Sequence, residues 1–181
     1  MLLVSGSLRR RSTNTALLRT ARSVAPDGVF AVLYEGLGQL PHFNPDDDVD
    51  PLHPAVAGLR GEIRRADALL LSTPEYAGAL PGSFKNLLDW TVGDDRQGSI
   101  YEKPAAWINV SPRGARGAHD SLRTVLGYTK AAVVEAACTA IPVTGAMVDE
   151  EGMISDPSVL DHLARALTTL ADHAARPAAA G

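Results

Sequence analysis

The sequence predicts an α/β domain of three layers, with a parallel sheet of five strands held between helices. Three observations carry that expectation. Short apolar β-type runs alternate with helix-type segments along the chain. Runs such as Ala68–Ser72 show almost no polar alternation, the pattern of strands covered on both faces. Three of the runs also end in unusual loops, Ser5–Asn14, Thr73–Gly82 and Ser111–Gly117. With 181 residues, 45% of them hydrophobic, the chain suits one buried core and is short for two. The expected domain is 1–175, with a frayed tail at 176–181.

The elements follow in order. Met1–Ser5 reads as the first strand, and a helix is expected from about Thr13 to Val24. Val29–Glu35 reads as the second strand, stopped by Gly36 and Gly38. Leu37–Pro54 holds four prolines and the acidic run Asp46–Asp50, so it is expected to be a long irregular connection with its acids in solvent. A helix over Ala55–Arg65 leads to the third strand, Ala68–Ser72, and a further helix is expected over Ser83–Val92. Ala105–Val110 is the fourth strand, followed by a helix near Ala118–Tyr128. Val133–Ala137 and Ile141–Val143 make an interrupted fifth strand. The last helix starts at Asp156-Pro157, where Asp156 can cap and Pro157 suits the first turn.

Composition narrows the function. A net charge of −4 gives no global case for nucleic acid or an anionic membrane as partner. One cysteine excludes an intrachain disulfide framework and fits a reducing compartment. No run is apolar and long enough to span a bilayer, and the first residues lack the basic segment of a leader, so a cytoplasmic protein is expected. Asp46–Asp50 lacks the glycine and closing glutamate of a calcium loop, and the five histidines show no metal-ligand spacing. Cys138 sits in an alanine-rich apolar stretch and reads as a packing residue.

In doubly wound sheets ligands bind beyond the carboxyl ends of the strands, so the three loops are expected to share one crevice. The first, Ser5-Gly6-Ser7-Leu8-Arg9-Arg10-Arg11-Ser12-Thr13-Asn14, follows a strand and opens a helix, whose unpaired N–H groups favour an anion. Gly6 is expected to permit a tight turn. Ser5, Ser7, Ser12, Thr13 and Asn14 offer short polar groups, and Arg9 offers a charged donor. The bland reading is a capped helix with solvated arginines, which accounts for one hydroxyl but not for this density of donors. The triphosphate signature Gly-Lys-Ser/Thr is missing, and Leu8 and Arg11 stand where a dinucleotide fingerprint needs glycines. A terminal monophosphate fits better.

Gly6–Thr15, Pro74-Glu75-Tyr76 and Pro81–Trp90, with Leu40–Pro45 between, resemble the NAD(P)H-dependent FMN reductase family, which includes quinone, chromate and azo-dye reductases. The resemblance covers nearly the whole chain. It implies a flavodoxin-like sandwich with strand order 2-1-3-4-5, FMN as cofactor, and NADPH or NADH as electron donor. It also implies a small-molecule electron acceptor and a homodimer or homotetramer. Pro74, Glu75, Tyr76, Ala77 and Gly78 are then expected along the flavin ring, with Ser111, Arg113 and Gly114 from the third loop. No residue is assigned as catalytic, because the flavin N5 carries the chemistry.

Some roles stay open at this point. Glu75 reads as a structural hydrogen-bonding group rather than a proton donor, and Tyr76 either packs near the ring or covers its loop. Arg113 and Arg116 meet the phosphates of NAD(P)H or are plain exposed charges. Phe84, Leu87 and Trp90 read as core. The family pattern has Asn after the tyrosine, where this chain has Ala77. The runner-up function is a flavodoxin-like electron carrier or redox sensor without turnover, disfavoured by the elaborate loops and the modest acidity. A third reading is a degenerate relative holding another phosphate-bearing ligand.

Overall fold

The central strands are apolar on both sides because each side meets a helical layer. The computed structural model describes residues 1–176, so the expected tail from 177 onward lies outside it. Strands β1 (Leu2–Ser5), β2 (Val32–Tyr34), β3 (Leu69–Ser72) and β4 (Pro104–Asn109) run parallel in the order β2-β1-β3-β4. Two short pieces, β5 (Ala132–Val133) and β6 (Thr139–Ala140), both pair with β4 at its far edge. The order 2-1-3-4-5 is the expected one. The fifth strand is interrupted as expected, but by a 3-10 turn at Glu135–Ala137, and its second piece lies two residues earlier than Ile141–Val143.

Side-chain alternation along these strands splits the core in two. Leu2, Val4, Leu69, Leu71, Ala105 and Trp107 face helices α2 (Pro54–Arg65), α3 (Gly82–Val92) and α4 (Arg116–Tyr128). Leu3, Leu70, Ala106 and Ile108 face α1 (Thr13–Ser23) and α5 (Pro157–Ala174). Phe84, Leu87 and Trp90 are buried in the first of these layers, as core residues. Helix α5 begins as the sequence predicts, with Asp156 accepting from the Ser158 and Val159 N–H groups and Pro157 in the first turn.

The second strand is shorter than Val29–Glu35. Phe30 is exposed, and only three residues reach the ladder with β1. The connection 37–54 is irregular but anchored. Asn86 accepts from the Phe43 N–H (2.7 Å), while the Asn86 and Trp90 side chains donate to Pro41 O (2.9 and 2.8 Å). Its acids are not all in solvent, which corrects the expectation. Asp48 pairs with Arg60 at 2.8 Å, both nearly buried, and Arg60 Nε also donates to Trp90 O at 2.9 Å. A guanidinium buried in this way must be paired, and the acidic run supplies the partner.

Cys138 is half-buried rather than fully buried, and burial pushes its thiol from the ordinary 9.0 up to about 11. The folded chain therefore holds this proton more tightly than the unfolded chain. The associated stability is intact below about pH 9 and is lost as pH rises through about 11. At pH 8 a thiol reagent should label native Cys138 about 100-fold more slowly than the urea-unfolded chain, and equal rates would refute the shift.

Breaking the buried pair by Arg60→Met should cost about 3 kcal/mol in urea unfolding. Arg65→Met, which removes an exposed pair with Glu62, should leave the midpoint nearly unchanged.

Candidate functional site

The sheet order reverses direction between β1 and β3, so the crevice of this fold opens at their carboxyl ends. The loops after β1, β3 and β4 meet there and hold one another in place. Gly6 N–H donates to Ser72 O at 2.8 Å, tying the first loop to the end of β3. Ser72 Oγ in turn reaches Asn14 Oδ1 and Ile108 O, each at 2.9 Å. Gly6 is required by crowding and not by its own dihedral, which corrects the expected reason. A Cβ there would lie 2.4 Å from Thr73 Oγ1 and 2.9 Å from Phe84.

The first loop divides its polar residues between two tasks. Ser5 Oγ pairs with Thr15 Oγ1 at 2.8 Å, and Ser12 caps α1 by accepting from the Thr15 N–H. Asn14 is buried against Ser72, so Ser5, Ser12 and Asn14 brace the loop. Ser7 and Thr13 stay partly exposed, and Arg9, Arg10 and Arg11 are exposed. Among the described residues none of these three arginines enters an ion pair. The N–H groups of Thr13 and Asn14, in the first turn of α1, have no helical acceptor. The first loop, residues 5–14, carries these three arginines and no acidic residue.

The second loop is a tight turn. Tyr76 and Ala79 exchange both backbone hydrogen bonds (3.0 and 3.1 Å) around Ala77 (φ +51°) and Gly78 (φ +75°). Two successive left-handed residues make the type I′ geometry, which asparagine and glycine adopt readily and alanine does not. An asparagine at position 77 would adopt this backbone with less strain than Ala77 does. Tyr76, Ala77 and Gly78 are exposed on the turn, and Pro74 is half-buried beneath it.

Glu75 has a structural partner, as expected. Its Oε2 accepts from the Ala118 N–H at 3.0 Å, so a carboxylate from the second loop caps α4, whose own N-cap Ala115 offers none. The contact between these loops is close: a Cβ on Gly117 would lie 2.1 Å from Gly78 O.

In the third loop Ser111, Arg113 and Gly114 stand on a turn closed by Gly114 N–H to Ser111 O (3.1 Å). Ser111 Oγ accepts from Arg113 N–H at 3.2 Å, and the Arg113 and Arg116 side chains lie outside. Helix α4 begins at Arg116, two residues before the expected start. Two contributors escaped the sequence reading. Asn109 accepts from the Ser111 N–H (2.9 Å) and donates to Gly114 O (2.5 Å), while His119 shares a hydrogen bond with Ala115 O (2.8 Å). An amide side chain closing an otherwise apolar strand was the only visible sign of the first.

Cavities of about 730 and 550 Å³ lie elsewhere, lined by residues such as Met1, Phe30 and Asp172 and by Tyr101, Tyr128 and Lys130. They gather at the opposite, amino ends of the strands. No group of acids, histidines and cysteine among the described residues is disposed to hold a metal ion. No helix among them is long and apolar enough to cross a membrane.

Comparisons with known proteins agree with this geometry. Residues 1–145 match the family model described as NADPH-dependent FMN reductase. A quinone reductase of Pseudomonas putida is 31% identical over 156 residues, 85% of this chain and 83% of that protein. A 2-hydroxy-1,4-benzoquinone reductase of Burkholderia is 40% identical over 130 residues, 70% of this chain and 69% of that one. Among solved structures, a flavoenzyme NAD(P)H:(acceptor) oxidoreductase of Paracoccus denitrificans aligns with a TM-score of 0.80 at 28% identity, covering 95% of this chain and 97% of that one.

Relieving the left-handed strain by Ala77→Asn should stabilise the protein by about 1 kcal/mol in thermal unfolding. A lowered midpoint would show that the turn is not under this strain.

Proposed function

The chain belongs to the NADPH-dependent FMN reductase family, and from that premise we propose how its own residues serve an oxidoreductase that passes hydride from NAD(P)H through FMN to a quinone or similar acceptor. When bound, FMN would supply the hydride-carrying chemistry, held by the first loop at its phosphate and by the second and third loops at its ring. The protein supplies binding, orientation and a fixed electrostatic setting.

The observation that carries the assignment is the start of α1. Its Thr13 and Asn14 N–H groups, without partners among the described residues, belong to the same loop as the Ser7 and Thr13 hydroxyls and the exposed Arg9. Such a donor set suits a phosphate monoester. Ser12 can still donate its hydroxyl hydrogen while its oxygen caps the helix. The ring belongs beside Pro74–Gly78 and Ser111–Gly114, where Ala77, Gly78 and Gly114 leave the backbone uncrowded. Neighbouring strand ends are about 5 Å apart, so loops on β1, β3 and β4 address one extended ligand. Arg113 and Arg116 are free to meet the phosphates of NAD(P)H. The acceptor enters where the nicotinamide leaves, which gives ping-pong kinetics.

The relatives named as reductases support turnover rather than a carrier. The reading also includes self-association as a homodimer or homotetramer, supported by exposed Val92, Tyr101 and Tyr128 near the ends of α3 and α4. A cytoplasmic location follows from the need for reduced pyridine nucleotide.

An absorbance spectrum before and after anaerobic NADPH addition tests the assignment. The purified protein should be yellow and should bleach; colourless protein that takes up no added FMN would defeat it. Arg9→Ala should weaken FMN binding about 10-fold while leaving riboflavin, which lacks the phosphate, unaffected in fluorescence titration. Equal losses for both ligands would remove Arg9 from the phosphate site.

A further inference from the structure

The third loop holds a backbone that it cannot hold by itself. Gly114 has φ +92° and Ala115 φ +43°, and the left-handed region is sterically costly for a residue with a Cβ. Ala115 is also the N-cap of α4 and brings no capping side chain. Such a backbone persists only when its surroundings over-determine it.

The surroundings here are two side chains on rigid elements. Asn109, at the end of β4, donates to Gly114 O at 2.5 Å and accepts from the Ser111 N–H at 2.9 Å. His119, in the first turn of α4, reaches the next carbonyl, Ala115 O, through Nδ1 at 2.8 Å. The regular helical bond from His119 N–H to the same oxygen is longer, at 3.3 Å. Because Ala115 O can only accept, Nδ1 is the donor in this bond.

The other ring nitrogen, Nε2, makes no such bond. His119 is only 9% exposed, its ring lies tilted against Trp107 (centroids 6.4 Å apart), and Nε2 is buried with no hydrogen-bond partner among the described residues. A buried polar atom without a partner is a cost that a leucine, like Leu122 and Leu126 on the same helix, does not carry. The return for that cost is the bond to Ala115 O.

Resting on the reading that Ser111–Gly117 lies against the flavin, we propose that His119 is a positioning residue that works with Asn109 to aim the third loop's N–H groups at the bound ring. With the carbonyls of residues 114 and 115 drawn back onto side-chain donors, the N–H groups of Ala115, Arg116 and Gly117 remain without partners among the described residues. A left-handed residue followed by a helical one turns such groups toward a common point, a concavity that suits negative charge. Glu75 takes the next N–H, that of Ala118, and Gly117 packs directly on Gly78, so the second and third loops shift together or not at all.

Three variants test the assignment. Asn places an amide donor near the Nδ1 position, Gln reaches only toward Nε2, and Phe keeps the ring against Trp107 without any donor. FMN affinity of the apoprotein by fluorescence quenching, the flavin midpoint potential and the apoprotein melting temperature are measured for each. His119→Phe and His119→Gln should weaken FMN binding about 10-fold and shift the potential, with His119→Asn close to wild type. Should His119→Phe fail to fold, Asn109→Ser frees the neighbouring carbonyl from the loop's other side and should give the same loss. A role confined to stability would lower the melting temperature in all variants and leave affinity and potential untouched, which overturns the assignment. Wild-type protein that binds no FMN overturns the functional reading, and this assignment with it. Wild-type binding with unchanged Phe, Gln and Asn109 variants overturns this assignment alone.

Discussion

A parallel sheet buried on both faces leaves its strand ends as the places where polar backbone can meet a ligand, and the rest of this molecule follows from that constraint. Leu2, Val4, Leu69 and Leu71 fill one layer, and Leu3 and Leu70 fill the other, so no polar side chain can stand on either face without disrupting a core. Chemistry is therefore confined to residues after each strand stops being apolar. Ser5, Ser72 and Asn109 are those residues on β1, β3 and β4, and each uses its polar side chain to shape the loop that follows or the one beside it.

The loops are consequently built from two kinds of polar group. One kind faces inward and fixes geometry: Ser5, Ser12 and Asn14 in the first loop, Glu75 in the second, Asn109 and His119 in the third. The other kind is at least partly exposed: Ser7, Thr13 and the arginines, together with the N–H groups at the starts of α1 and α4 that have no partner among the described residues. Left-handed Ala77 and Ala115 show that the second and third loops carry strain, and the inward groups hold that strain in place. A rigid array of donors loses little entropy when a ligand arrives, which is the condition for orienting a flavin ring and setting its potential.

The long connection 37–54 contributes from a distance. It has little regular structure, yet Asp48 on Arg60 and Pro41 on Asn86 and Trp90 seat it against α2 and α3. A buried ion pair of this kind adds little net stability over apolar packing, but it accepts only one arrangement of the partners. Helix α3 follows directly from the second loop, so the seating that fixes α3 also steadies the turn at Ala77–Gly78.

The sequence by itself determined the layers and marked the three loops that the sheet brings together. Apolar runs without alternation, capped helix starts such as Asp156-Pro157, and a donor-rich first loop are local signals, and each is set by residues within a few positions of one another. The tertiary structure decided what each polar residue does. Whether Asn14 meets a ligand or Ser72 depends on a strand 58 residues away, and Glu75 becomes a helix cap only because Ala118, 43 residues later, lies beside it. The same holds for Gly6 and Gly117, whose lack of a side chain is demanded by Thr73, Phe84 and Gly78 across the crevice. Asp48 in a run of acids carried no sign of its buried arginine. Hydrophobic pattern is a property of neighbours along the chain, whereas a hydrogen-bond partner is a property of neighbours in space, and only the second tells a brace from a ligand.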